Sequence, residues 1–166
     1  MKIYIVRHAI AGLRENWHDP DDQRPLTDKG RKKMARIARG LRNLEVELTH
    51  LYASPLVRAQ QTAEIIREEL RIKKIDTSDL LVPEADPADV LPFLNEHDET
   101  AALALTGHEP HTSALLAFLA TGQREIFALF KKGGVALLEG EKPLRAGHVL
   151  LRWLMEPNHL AAIGSL

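Results

Sequence analysis

The stretch Ile3-Tyr4-Ile5-Val6-Arg7-His8-Ala9 sets a short apolar run, rich in β-branched residues, directly against an arginine and a histidine. A run of this length bounded by polar residues reads as a buried strand, because β-branched side chains pack well on a pleated surface. Similar runs recur at Leu51-Tyr52-Ala53, Ala101 to Leu105, Val135 to Leu138 and Val149 to Leu154. Helical spacing fills the gaps. Thr27 can cap a helix whose apolar positions Met34, Ile37, Ala38, Leu41 and Leu44 share one face. Ser54-Pro55 reads as an N-cap followed by the first helical residue, with Leu56, Ala59, Ala63, Ile66 and Leu70 as the buried stripe and Arg58 off it. Further helices are predicted over Pro87 to Asn95 and from about His111 to Ala120, the latter ended by Gly122. This alternation predicts an α/β three-layer sandwich, a mainly parallel central sheet flanked by helices. The turn region Glu139 to Gly147 is too short for a crossover helix, which allows the last two strands to pair antiparallel.

With 166 residues the chain is expected to form one domain, residues 1–166, able to bury a core without staples. Apolar residues make up 45% and charged residues 27%, and the net charge is −1, so no global pull toward nucleic acid or membrane is expected. The absence of cysteine removes disulfides, thiolate metal sites, iron–sulfur clusters and cysteine nucleophiles. The apolar start is too short for a signal-peptide core, and cytoplasm is the default location. The stretch from Glu15 to Pro25, rich in Asp and Pro, reads as a solvated, mobile surface loop.

In open α/β sheets ligands bind beyond the carboxyl ends of strands. Three such places here carry matching chemistry: Arg7-His8-Ala9, Ser54 to Arg58, and Gly107-His108-Glu109. Two guanidinium groups can clamp phosphate oxygens, and helix N-termini add backbone donors, so the set suits a dianionic phosphoryl group better than a neutral substrate. A neutral His8 with one bare ring nitrogen facing phosphorus, and the other donating to a backbone carbonyl, would be an aimed nucleophile. Arg7, Arg58 and His108 would then neutralise charge on the equatorial oxygens.

These residues carry a resemblance. Val6-Arg7-His8-Ala9 resembles the Arg-His-Gly signature of the histidine phosphatase superfamily, also called phosphoglycerate-mutase-like. Leu26-Thr27-Asp28-Lys29-Gly30, Ser54 to Glu64 and Gly107-His108-Glu109-Pro110 are similar to its next three blocks, in order and at similar spacing. The short form most resembles the SixA-type phosphohistidine phosphatases, including the Arg-His-Ala variant at Arg7 to Ala9. The resemblance implies that His8 is phosphorylated, that Arg7 and Arg58 are phosphate ligands and that His108 is the second imidazole of the pocket. Ser54 joins the substrate-binding candidates.

Many members of the superfamily carry a glutamate that protonates the leaving oxygen, in a longer insertion than this chain has. Glu84, Asp86 and Glu109 are the acids left to consider. A phosphorylated imidazole protonated on its distal nitrogen departs as a neutral ring and needs little help from an acid, whereas an alkyl phosphate needs more. The expected partner is therefore a phosphohistidine-bearing protein. A small phosphate ester or sugar phosphate is the alternative substrate, and a non-catalytic phosphoprotein-binding module is the reading of a different class. No metal and no cofactor is expected: His108 and His111 lack a third ligand, the Asp19 to Asp22 run lacks the pattern of a calcium loop, and Gly133-Gly134 forms neither a dinucleotide nor a Walker loop. His18, His50, His97, His148 and His159 are assigned surface or structural roles, and Trp153, Pro157 and Leu160 a place over the core or an interface.

Overall fold

The first strand, β1 (Lys2–Arg7), sorts its side chains by parity. Ile3 and Ile5 enter one hydrophobic cluster while Tyr4 and Val6 enter another, on opposite faces of the sheet. Burial on both faces explains why the strand is apolar at successive positions rather than at alternate ones. The computed structural model describes residues 1–166. Its other strands are β2 (His50–Ala53), β3 (Asp76–Thr77), β4 (Ala102–Gly107), β5 (Val135–Glu139) and β6 (Leu150–Met155), in the sheet order β3-β2-β4-β1-β5-β6. β4 runs parallel between β1 and β2, and β3 extends β2 in parallel. β5 and β6 pair antiparallel, and β5 is antiparallel to β1.

Five α-helices complete the layers: α1 (Asp28–Asn43), α2 (Val57–Leu70), α3 (Pro87–Asn95), α4 (His111–Thr121) and α5 (Pro157–Ile163). Met34, Ile37 and Leu41 of α1, Ala63 and Ile66 of α2 and Leu160 of α5 pack with Tyr4 and Val6. Val90 and Leu94 of α3 and Leu115, Leu116 and Leu119 of α4 pack with Ile3 and Ile5. The α/β three-layer architecture expected from the alternation of elements is the one observed. Thr27 caps α1 by accepting the Gly30 N–H at 2.9 Å, and Gly122 ends α4.

Three expectations are corrected. α2 begins at Val57, with Leu56 as its cap residue, and not at Ser54-Pro55; the Ser54 hydroxyl is engaged elsewhere, as described below. Leu44 is not part of the α1 stripe but its C-cap, 38% exposed. Arg58, read as lying off the buried face of α2, is itself buried at 5% exposure. The sequence reading also passed over β3 and α5. α5 docks on α1 at Gly40, where a Cβ would overlap the Leu160 carbonyl, so the two helices approach as closely as they do only because position 40 has no side chain. Pro157 and Leu160 are buried there. No helix is long and apolar enough to cross a membrane.

Candidate active site

Strand register brings the sequence-predicted residues together. Arg7 and Gly107 are the last registered partners of β1 and β4, so His8 and His108, each the next residue along, emerge side by side. The His8 N–H donates to the Gly107 carbonyl at 2.9 Å, and the two rings lie 5.1 Å apart, tilted by 50°. On the other flank of β4, Ala53 is registered with Thr106, and the Ser54 N–H donates to the Thr106 carbonyl at 3.0 Å. Ser54 thus lies beside His108, with Oγ 2.8 Å from Nε2.

His8 has its orientation fixed by its own loop. Nδ1 lies 2.7 Å from the Ala9 carbonyl, and since a carbonyl can only accept, Nδ1 carries the hydrogen and Nε2 is bare. Burial pushes the pKa of His8 down to about 3, assisted by the charges of Arg58, Arg7 and Lys132 and opposed by the bond to Ala9. Above that range the ring is neutral, with a lone pair on Nε2. The Ala9 N–H donates to Thr62 Oγ1 at 3.0 Å, and Thr62 in turn donates to the Arg58 carbonyl at 2.7 Å. A single hydroxyl therefore ties the loop after β1 to the first turn of α2.

The second imidazole is held from the other side. The Leu56 N–H donates to Ser54 Oγ at 3.4 Å, and the same oxygen is the hydrogen-bond partner of His108 Nε2. Burial also pushes His108 down to about 3, with His8, Arg58 and His111 acting in the same direction and Asp21 against it.

The guanidinium groups are placed by loops. Arg7 Nη1 donates to the Phe130 carbonyl at 2.5 Å, and Glu109 is the opposite charge that partly offsets its burial. Arg58 Nη1 donates to the Asp21 carbonyl at 2.9 Å, and Nη2 lies 3.2 Å from the Asp21 carboxylate. Asp21 also accepts from Arg24 Nε at 2.9 Å, and Arg24 Nη1 donates to the Gly12 carbonyl at 2.6 Å. The Arg24 bond first, and the Arg58 and Arg14 charges besides, hold the Asp21 carboxyl below its ordinary value. The stretch Glu15 to Pro25 is mostly exposed, as expected of a solvated surface loop, and it also sets Asp21 against Arg58 through a short 3-10 turn.

The candidate acids lie differently. Glu84 is exposed and makes no hydrogen bond. Asp86 caps α3 by accepting from the Ala88 N–H at 2.9 Å and pairs with Arg124 at 2.8 Å, both of which keep it below the usual carboxylate range. Glu109 Oε1 accepts from Thr112, Ser113 and the Phe130 N–H at 2.7 to 3.2 Å. None of the three bonds either imidazole. No group of three or more His, Asp or Glu side chains is gathered in a way that could hold a metal ion. Sequence reasoning missed Arg24, Thr62 and Lys132, and saw Asp21 only as part of an acidic run. Arg24 stands two residues before Leu26 in a block already singled out, and that adjacency was the available signal.

Buried polar atoms without a partner concentrate at this end of the sheet: Arg7 Nε, Arg58 Nε and His108 Nδ1 are among them. A bare ring nitrogen, a second imidazole and two guanidinium groups at the carboxyl ends of adjacent strands can surround a tetrahedral anion and attack its centre.

Comparison with known proteins agrees with that chemistry. A family model described as the histidine phosphatase superfamily (branch 1) matches residues 3–82. The chain is 31% identical over 137 residues to an uncharacterized protein of a Picosynechococcus species, covering 81% of this chain and 82% of that one. It is 25% identical over 166 residues to the phosphohistidine phosphatase SixA of Escherichia coli, covering 96% of each. The structure of the protein histidine phosphatase SixA complexed with tungstate superposes with a TM-score of 0.85 at 28% identity, covering 96% of this chain and 99% of the other.

Proposed function

The chain belongs to the histidine phosphatase superfamily, a histidine-dependent phosphatase, and from that premise we propose that it removes the phosphoryl group of phosphohistidine on another protein, through a phosphohistidine formed on its own His8. The observation that carries this reading is the state of His8: Nδ1–H is committed to the Ala9 carbonyl, which leaves Nε2 as a lone-pair donor beside Arg7, Arg58 and His108.

In the first step Nε2 attacks phosphorus in line, the bond from phosphorus to the substrate nitrogen breaks, and its electron pair leaves on the substrate ring. A substrate imidazole already protonated at its other nitrogen departs neutral, so no proton need be delivered. In the second step water adds to phosphorus, the electron pair of the P–N bond returns to Nε2, and the water proton leaves with the orthophosphate or to solvent. Arg7, Arg58 and His108 stabilise the equatorial oxygens in both steps.

The choice of phosphohistidine over a phosphate ester is supported by the carboxylates. Asp86 and Glu109 are engaged in capping, an ion pair and loop bonds, and none of the three carboxylates bonds His8 or His108; a leaving group that needs no acid suits such a site. The full-length likeness to a protein named for that activity supports the same choice.

The test is turnover and trapping. Mixed with a phosphohistidine-bearing protein and quenched in base, the wild type should retain acid-labile phosphate and His8→Ala none; turnover on phosphohistidine should exceed that on phosphoserine peptides and sugar phosphates. Hydrolysis by His8→Ala at the wild-type rate would overturn the assignment.

A further inference from the structure

Lys131 and Lys132 are chain neighbours with opposite surroundings. Lys131 is exposed, and its ammonium pairs with Glu156 at 2.8 Å. Lys132 is half-buried, and no group of the protein accepts a hydrogen bond from it. Its place is set by the backbone. The Gly133 N–H is shared between the carbonyls of Arg7 and His8 at 3.1 Å each, and the Arg7 N–H donates to the Gly134 carbonyl at 3.1 Å. Gly133 adopts φ +85°, the left-handed conformation that lets the chain turn there. The loop that carries Lys132 is thus bonded directly to the end of the strand that carries His8.

The Lys132 ammonium lies within electrostatic reach of Arg7, Arg24, Arg58 and His8, and its own burial and the three guanidinium charges press it below its ordinary pKa. Each of those arginines has an acceptor. Arg7 has the Phe130 carbonyl and the nearby charge of Glu109, while Arg24 and Arg58 share Asp21. Lys132 has none. A cation partly removed from water and facing three like charges is costly unless an anion joins them.

We infer that Lys132 is a ligand for a non-bridging oxygen of the substrate phosphoryl group, added to the set formed by Arg7, Arg58 and His108. The inference deepens the phosphatase reading and rests on it for the identity of the anion. The two guanidinium heads are fixed by carbonyl and carboxylate partners. An ammonium on a flexible stem is a point charge that can follow the phosphoryl oxygens as they flatten and invert during in-line transfer. Lys132 therefore divides labour with the arginines: they set the orientation of the anion, and it tracks the motion.

The experiment is calorimetric binding of orthophosphate to the whole protein, alongside steady-state kinetics. Lys132→Gln should weaken orthophosphate binding about tenfold, as for loss of one charge-assisted hydrogen bond, and lower kcat/KM on a phosphohistidine protein by a similar factor. Lys132→Arg should recover binding to within about threefold of wild type, and Lys131→Gln should leave it unchanged. Wild-type orthophosphate affinity in Lys132→Gln overturns the inference, as does an equal loss in Lys131→Gln, which would mean a diffuse field rather than a contact. Failure of the wild type to bind orthophosphate overturns it too. Dependence of binding on Lys132 in a protein that does not turn over phosphohistidine would retain this ligand while rejecting the proposed substrate.

Discussion

Asp21 grips Arg58 at two points, its backbone carbonyl accepting from Nη1 at 2.9 Å and its carboxylate lying 3.2 Å from Nη2. The residue that aims this guanidinium therefore belongs to a surface loop and not to the helix that bears it. Both Nη atoms are directed by the contact, and Nε remains without a partner. Asp21→Asn keeps the backbone acceptor and removes the charge shared with Arg24. Turnover on phosphohistidine should fall about tenfold and the thermal midpoint should drop, because the Arg58 and Arg24 side chains, 6% and 11% exposed, keep their charges without the carboxylate that offsets them. Unchanged turnover would show that Arg58 keeps its place unaided.

Ser54→Ala deletes the hydroxyl 2.8 Å from His108 Nε2 and leaves that nitrogen buried without a partner. The expected cost is about 1 to 3 kcal/mol in unfolding free energy, with a fall in kcat and little change in KM, since the ring loses its orientation and not its access to substrate. Denaturant unfolding and steady-state kinetics measure both; a serine needed only for the turn into α2 would leave kcat alone.

Thr62→Val preserves shape and removes the hydroxyl that joins the Ala9 N–H to the Arg58 carbonyl. With the Ala9 N–H left unpaired in the interior, stability should drop by about 1 to 3 kcal/mol, and the phosphoenzyme should form more slowly. Rapid-quench measurement of phosphoenzyme formation reads the second effect, and a wild-type rate would dissociate Thr62 from the placement of His8.

The buried imidazoles fix the sign of the pH response. His8 and His108 are depressed from the ordinary 6.5 to about 3 in the folded protein, so between those values the unfolded chain binds more protons. Stability is full above about 6.5 and is lost as pH falls toward about 3. Unfolding free energies measured across that interval should decline with acid, and the double variant His8→Gln, His108→Gln should decline less. The kcat/KM of the free enzyme should show no inflection near 6.5, because neither ring gains a proton there. An acid limb centred near 6.5 would mean that a ring is hydrated in solution.

How much of this could be read from the residues depends on the range of each interaction. The strands at Ile3, Leu51, Ala101, Val135 and Val149 and the cap at Thr27 are local patterns, and each produced the expected element. Ser54-Pro55 also made a local pattern, but the serine oxygen lies beside His108, 54 positions away, and the helix starts later. β3 has only two residues, too few for any period to register. α5 is seven residues long and is stable through its docking at Gly40, which no window along the chain contains. At the site, His8, Arg7, Arg58 and His108 could be named because each follows or opens a recognisable element. Asp21 and Lys132 come from loops whose paths are set by hydrogen bonds to distant backbone, and composition gave them no mark.

One last feature is the pairing of Arg7 with Gly107. Because each imidazole sits a single step past that pair, their separation is written into the ladder between β1 and β4, and lengthening a connection elsewhere does not alter it. The rim, by contrast, is made of segments such as Glu15 to Pro25 and the stretch around Phe130, and these place the guanidinium groups, since Asp21 holds Arg58 and the Phe130 carbonyl holds Arg7. The spacing of the two rings and the aim of the two arginines are therefore encoded in separate parts of the chain.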